Sequence, residues 1–372
     1  MLDMIRSTRL PTKPEFPGEK DAFGIDLEDL RSLRDTWLHD FDWKREQASI
    51  NRLHHYTVTI EGLKIHFIHE KSDDAANAIP LMLCHGWPGS FLEFIPVIEG
   101  LKRQARTSTG RNVSFDVIIP SLPGFAFSSA PPQNWTLDDT ARVFNTLMTD
   151  VLGYEKYAVH GTSHGVPLSF TLYDAFNTTA RAAHFVFMPF YPIDPSVIEA
   201  RNITLTPLEQ FELQRSVQWG LTGNGYFIMH TTKPNTVGLA MYDNPIGQLA
   251  WMGEKYIDWS DPNAGNGSPS VLTPNEILRC VSLYYLTRTF KSSMYTYAQD
   301  PGAWEREYRR AKTDAPLLVS FFKYNVGFWP REIMATVGNL TEYRNHDFGG
   351  NFAGLDNPPA LIDDLREIGT YW

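Results

Sequence analysis

The distribution of apolar and turn-forming residues predicts an α/β protein, a mostly parallel sheet covered by helices on both faces and interrupted by a helical insertion. Three observations carry this. Between residues 79 and 175, short apolar runs alternate with helix-compatible stretches, as they must when strands are buried on both faces. After about residue 190 the rhythm changes to helices separated by aromatic loops. A last strand-like run at 315–322 restores the earlier pattern.

The elements follow in order. Pro11, Pro14 and Pro17 keep residues 10–20 extended, because proline fixes φ and lacks an N–H. Residues 26–38 place apolar side chains at helical spacing behind Asp26, a helix cap. Residues 56–60 and 63–69 alternate with period two around Glu61-Gly62, which predicts a hairpin. His66 and His69 on that hairpin are read as ordinary strand residues, since their spacing fits no metal-ligand pattern. Strands are expected at 79–85, 113–120 and 157–160, with a helix at 137–152. Helices follow at 207–213, 246–259 and 274–290, then the strand at 315–322 and a helix at 358–367.

Composition bounds the function. The 372 residues, 42% hydrophobic, suffice for a large core in one interrupted domain or in two to three smaller ones. A net charge of -10 without a basic run argues against nucleic acid or an anionic membrane as partner. Only Cys84 and Cys280 occur, which excludes a disulfide framework and a Cys-rich metal site. No apolar run reaches about 18 residues, and the first residues lack a signal-peptide pattern. A cytoplasmic protein without a membrane anchor is expected. Aromatic residues, 13% of the chain, supply walls for a core or a pocket.

Two segments can carry chemistry. Gly161-Thr162-Ser163-His164-Gly165 fits a nucleophile elbow, with a strand before it and a helix after it. Such a turn is strained and leaves its central side chain exposed above the sheet. An inert serine on a plain strand–helix turn is the alternative. His85-Gly86-Trp87-Pro88-Gly89-Ser90 follows the strand ending at Cys84, where this arrangement supplies an N–H to an oxyanion hole. His85 can brace that loop, with Trp87 and Pro88 lining the site beside His164.

These residues resemble microsomal-type epoxide hydrolases. The resemblance runs through Asp42-Trp43, the loop at 85–90 with Glu93-Phe94, and Pro120-Ser-Leu-Pro-Gly-Phe125. It continues in Gly225-Tyr226 with Thr232-Lys-Pro234, in Asp243-Asn-Pro-Ile-Gly247 with Trp251, and in Ser292-Ser293 through Tyr297. Nearly the whole chain is covered, in the family's order. The resemblance implies an α/β-hydrolase fold with a mostly parallel eight-stranded sheet. It also implies an N-terminal meander at 1–52, core at 53–190, a helical lid at 191–300 and core again at 301–372. The mechanism implied is an Asp nucleophile, a His–acid pair that activates water, and two lid tyrosines that hydrogen-bond the epoxide oxygen.

This sequence departs from that plan. Ser163 stands at the nucleophile position, with His164 in place of a neighbouring Trp. Asn351, in Gly349-Gly350-Asn351-Phe352, stands where the family has its general-base His. Glu332, in Trp329-Pro-Arg-Glu332, keeps the acid position, and Tyr226 and Tyr297 keep the tyrosines. His230 replaces a Gln. A serine hydroxyl is weak without a base, and an amide does not titrate. Replacement bases are His230 from the lid, then His164 and His346, the last expected near the end of the final strand; His160 reads as a core residue.

The expectation is a non-hydrolytic enzyme, a cyclase, isomerase or related lyase. It would act on an apolar oxygenated small molecule such as a polyketide or terpenoid, with Tyr226 and Tyr297 as donors. Ser163, Asn351 and His230 would orient substrate or relay a proton. A serine esterase or lactonase, residual epoxide hydrolysis, and a non-catalytic binding protein stay open. No cofactor and no metal are implied. The partner expected is a small-molecule substrate, and a homodimer is compatible with the sequence.

Overall fold

The computed structural model describes all residues except 19, 75–76, 188–192 and 305–308. Eight strands form one sheet: β1 His55–Ile60, β2 Leu63–Glu70, β3 Ile79–Cys84, β4 Phe115–Pro120, β5 Tyr157–Gly161, β6 Ala180–Phe185, β7 Pro316–Phe322 and β8 Asn339–His346. Their spatial order is β1-β2-β4-β3-β5-β6-β7-β8. The β1–β2 hairpin pairs antiparallel to β4, and every pairing from β4 to β8 is parallel. Positive φ at both Glu61 and Gly62 gives the hairpin its two-residue turn.

The helices of the core come next. The first are α1 Leu2–Ser7, α2 Leu27–His39, α3 Trp43–Ile50, α4 Ile95–Lys102, α5 Leu137–Thr146 and α6 Gly165–Ala175. Asp26 caps α2 by accepting the Glu28 N–H, as the sequence predicts. Between β6 and β7 lie α7 Pro195–Ala200, α8 Pro207–Gln218, α9 Gly225–Thr232, α10 Pro234–Ala240, α11 Pro245–Asp258, α12 Pro274–Thr287 and α13 Phe290–Gln299. Three of them begin on the same local logic, a Thr or Asn cap followed by Pro or a capping-box Glu, with Asp194 capping α7. The chain closes with α14 Arg331–Met334, α15 Ala353–Asp356 and α16 Pro358–Arg366, then a short turn of helix. The boundary expected at residues 190 and 191 falls outside the described residues.

Strands β3 and β4 are buried along their whole length, which explains their mostly apolar sequence; the one charged residue, Asp116 of β4, is held by the Ser72 N–H, Lys71 and Tyr154. Strand β8 is half-buried throughout and pairs only with β7. Its polar sequence, Asn-Leu-Thr-Glu-Tyr-Arg-Asn-His, suits an edge, and for that reason it carries little strand signal. His346 ends it, where the sequence places that residue. The chain leaves β3 toward β4 on one side, while β5 lies on the other. A crevice therefore opens at the carboxyl ends of β3 and β5, the position where open α/β sheets bind ligands. Among the described residues no helix is long and apolar enough to cross a membrane.

Candidate active site

Strand β5 ends at Gly161, and the chain turns through Thr162, Ser163 and His164 into α6. Ser163 has φ +45°, a left-handed conformation that a non-glycine residue adopts only at a cost of about 1–3 kcal/mol. The neighbours force it. A Cβ at Gly165 would lie 2.1 Å from the Cys84 carbonyl oxygen, and one at Gly86 would lie 2.4 Å from the Ser163 Cβ. The elbow thus packs directly on the loop that follows β3. The Thr162 N–H donates to the Cys84 carbonyl at 3.1 Å and joins the two strand ends.

His85 fixes that loop through a defined tautomer. The Leu122 N–H donates to His85 Nε2 at 3.2 Å, so the proton sits on Nδ1 and bonds the Gly86 carbonyl at 3.0 Å. Burial pushes the His85 pKa down to about 4, which keeps the ring neutral. The brace expected of His85 is present. From above, two phenols hold the loop. Tyr256 on α11 donates to the Pro88 carbonyl at 2.8 Å, and Tyr284 on α12 donates to that of Gly89 at 2.7 Å. The Trp87–Pro88 peptide is cis.

Around this loop the helices between β6 and β7 build an aromatic cluster. Trp87 stacks on Tyr226 with ring centroids 5.1 Å apart and planes 12° apart. His230 meets the edge of Trp87 at 4.5 Å, and Tyr297 lies 6.2 Å from Tyr226 at 87°. Tyr226 and Tyr297 interact through their hydroxyls, and burial holds both phenols well above their usual pKa. They are neutral donors at any physiological pH. The Lys255 ammonium lies 5.3 Å from the Tyr226 ring centroid and is paired with Glu254. Trp259 packs 5.1 Å from Tyr226 and its carbonyl accepts the Asn351 N–H at 2.8 Å. This last link ties the loop after β8 to the tyrosines.

The structure brings Ser163, His164, Tyr226, Tyr297, His230, Trp87, Pro88, His85 and Asn351 into this region. His164 is buried against Tyr297 at 5.1 Å, and burial pushes its pKa down to about 3. His230 accepts the Trp251 indole N–H on Nε2 at 3.1 Å, and burial takes its pKa to about 3, with the Lys255 charge adding to the effect. The lone pair a base would use is therefore engaged. The Ser163 hydroxyl makes no hydrogen bond to a described residue, although the side chain is 5% exposed. Asn351 Oδ1, Trp87 Nε1 and His230 Nδ1 are buried without hydrogen-bond partners among the described residues. Glu332 is not brought to the cluster. It sits exposed on α14, where only its neighbours Ile333 and Met334 turn inward.

Two further residues belong to the site without a chemical motif to announce them. Glu93 lies buried beneath the loop, and burial pushes its pKa up to about 8 despite an interaction with the Thr162 hydroxyl. It is a neutral acid at pH 7. Its sequence signals are its place in the apolar run Phe91-Leu-Glu-Phe-Ile and in the Glu93-Phe94 segment of the family resemblance, neither of which gives it a chemical role. Lys255, 5% exposed beside Tyr226, sits in an amphipathic helix whose spacing marks it only as inward-facing. Among the described residues no group of acidic, His or Cys side chains could hold a metal ion.

Comparison with known proteins agrees with this architecture. A family model described as the epoxide hydrolase N terminus matches residues 1–94, and one for the alpha/beta hydrolase fold matches residues 79–202. A provisionally named epoxide hydrolase of Stigmatella aurantiaca is 34% identical over 97% of this chain and 79% of its own length. The solved epoxide hydrolase of Aspergillus niger superposes with a TM-score of 0.83 at 32% identity, covering 100% of this chain and 92% of that one. The juvenile hormone epoxide hydrolase of Bombyx mori gives 0.86 at 25% identity, over 100% and 91%.

Proposed function

Because this chain belongs to the epoxide hydrolases of the α/β-hydrolase fold, we propose that it is an enzyme of that family that acts without adding water. The reaction would be a cyclisation, isomerisation or related elimination on an apolar, oxygenated small molecule such as a polyketide or terpenoid. One observation supports it above the others. Two buried, neutral phenols stand beside an elbow whose serine has no base in hydrogen-bonding contact among the described residues.

In the cyclisation, a hydroxyl of the substrate attacks an epoxide carbon and the C–O bond to the ring oxygen breaks. Tyr226 or Tyr297 donates its proton to that oxygen as charge develops, and the attacking hydroxyl returns a proton to the phenolate. The phenol is regenerated and mass is conserved. Donors aimed at developing charge in a dry site are worth several kcal/mol, and holding both ends of one molecule removes the entropic cost of a second reactant. Ser163 and Asn351 would orient the substrate by hydrogen bonds. His230, neutral and held by Trp251, would present Nδ1–H to a substrate oxygen. Hydrolysis needs an activated water, and the lone pair of His230 is engaged by Trp251 while burial lowers the pKa of His164 to about 3 and makes it a weak base.

Product analysis in oxygen-18 water tests this reading. The expected product has the mass of its substrate and no solvent oxygen; solvent oxygen in the product would replace the reading with hydrolysis. Tyr226→Phe with Tyr297→Phe should lower turnover roughly 100- to 10,000-fold, and an unchanged rate would remove the phenols from the mechanism.

A further inference from the structure

Behind Asn351 lies a pair of buried carboxylates that the candidate site does not use. Asp261, in the turn after α11, is 4% exposed, and Asp356, which ends α15, is 0% exposed. The Asp261 N–H donates to Asp356 Oδ2 at 3.2 Å. Asp261 in turn accepts the Gly349 N–H on Oδ2 at 3.4 Å and the Asn263 N–H on Oδ1 at 2.9 Å. The Val271 N–H donates to the Leu355 carbonyl at 2.8 Å. Next to these bonds the Asn351 N–H meets the Trp259 carbonyl, and Gly350 has no room for a Cβ against that same carbonyl. Segments 259–271 and 349–356 therefore form one junction, and it sets the place of Asn351.

The junction buries acid without a cation. Neither carboxylate has an ion pair among the described residues. From segment 259–271, Asp356 is faced by the Asp261 charge and by the hydroxyls of Ser260 and Ser270. The turn at 91–94, α4 and α16 also pack on α15, but their charged groups are engaged elsewhere. Glu93 interacts with Thr162, Glu99 pairs with Lys102, Asp363 pairs with Arg366, and Asp364 is held by His346 and Arg344. Burial, joined by the Asp261 charge, pushes the Asp356 pKa up to about 7 against the hydrogen bonds it accepts. A carboxyl away from water and beside a second one keeps its proton, because burial and like charge both disfavour the ionised form.

We propose that Asp261 and Asp356 form a proton-operated latch that positions Asn351 in the candidate site. With Asp356 protonated, the two segments close on each other and fix Asn351 beside Trp259, which packs on Tyr226. With both carboxylates ionised, like charge inside a buried junction favours its opening. The two acids touch no substrate and act only through the segment they hold. The proposal rests on the reading of Asn351 as a residue that orients substrate, and adds what holds it. In an opened junction Asp356 titrates near the ordinary value of about 3.9, whereas the closed junction keeps the proton to about 7. Between those values the open form releases a proton that the closed form keeps. Opening therefore becomes about tenfold easier per pH unit and levels off above about pH 7.

Amide hydrogen exchange of the full chain, read by mass on peptides spanning 259–272 and 347–357, tests the latch. After correction for the intrinsic exchange rate, opening in both peptides should rise up to roughly 100-fold from pH 5 to pH 7 and stay level to pH 8. Asp356→Asn keeps the shape of the protonated acid and should make opening independent of pH. Asp261→Asn keeps an acceptor for the Gly349 N–H, removes the neighbouring charge and should shrink the rise. A rise of less than about threefold in the parent would overturn the latch. So would a rise that survives Asp356→Asn, one left whole by Asp261→Asn, or one confined to 259–272. Exchange reads the latch itself, while product mass and the phenylalanine variants judge the reaction, so the two readings fail separately.

Discussion

Ser163 and Ser320 belong to the same sheet two strands apart, and each has half of what a serine nucleophile needs. Ser163 tops a strained elbow at the mouth of the crevice, yet its hydroxyl has no hydrogen bond to a described residue. Ser320, on β7, has the partners. His184 Nε2 lies 3.0 Å from its hydroxyl, and Asp364 is hydrogen-bonded to it and lies 2.7 Å from His346. His184 continues the chain to His160 at 2.9 Å, and Arg344 adds a bond to Asp364 at 2.9 Å. Ser320, His184 and Asp364 are all buried, so no substrate reaches them. A Ser–His–Asp set therefore marks catalysis only where a strained turn also exposes the serine. In this protein one region supplies the polar network and another supplies the access.

Breaking the buried network should have the largest effect on stability. Asp364→Ala removes the carboxylate that His346, Arg344 and Ser320 share, and leaves Arg344 only its longer contacts to Glu367 at 3.8 Å and Glu342 at 4.0 Å. A loss of about 2–3 kcal/mol is expected in urea unfolding, and a change below about 1 kcal/mol would mean that the network is not what holds β7, β8 and α16 together. Burial opposes ionisation of Asp364, but His346, His184 and Ser320 together hold its pKa below the usual value. Its contribution is thus present above the ordinary carboxylate range and fades as pH falls through it.

Glu93 gives the opposite pH response on the elbow side. Its pKa is raised to about 8 in the folded protein, against about 4.3 in an unfolded chain. Between those values the unfolded state releases a proton that the native state keeps, so stability falls as pH rises from about 4.3 to 8. Glu93→Gln should remove that slope. Relative to the parent, the variant should gain about 1–3 kcal/mol between pH 5 and pH 8. A constant difference across that range would mean that Glu93 is ionised in the folded state.

The smallest effects belong to Ser163 itself. Ser163→Gly relieves the positive φ and should stabilise the fold by about 1 kcal/mol. Exposure to a fluorophosphonate probe should leave the intact mass unchanged, because Ser163 lacks a base and Ser320 lacks access. Labelling lost in Ser163→Ala would show an activated elbow and turn the comparison in favour of a serine hydrolase. Labelling retained in that variant would place reactivity at another side chain.

Much of the architecture was legible in the chain because its signals are local. The Asp26 cap, the Glu61-Gly62 turn and the mostly apolar runs of β3 and β4 each depend on neighbours in sequence. Strand β8 was less legible, since a half-buried edge tolerates polar residues. The elbow and the loop at 85–90 could be read from spacing, with the tyrosines following from family resemblance. Glu332 shows the limit of that reading. Its position in a Trp-Pro-Arg-Glu segment suggested an acid of the site, but α14 turns Ile333 and Met334 inward and leaves the carboxylate in solvent.

The sequence by itself located most of the strands and helices, though not β6, and the elbow with its glycines; family resemblance added an amide, Asn351, at the position expected to hold a base. Only the tertiary structure decided the state of each polar group. Leu122 sets the tautomer of His85, Trp251 occupies His230, and burial keeps Glu93 protonated. The physical reason is that protonation and hydrogen bonding depend on dielectric and on partners far apart in the chain. Helix caps, turns and strand patterns depend on residues a few positions away.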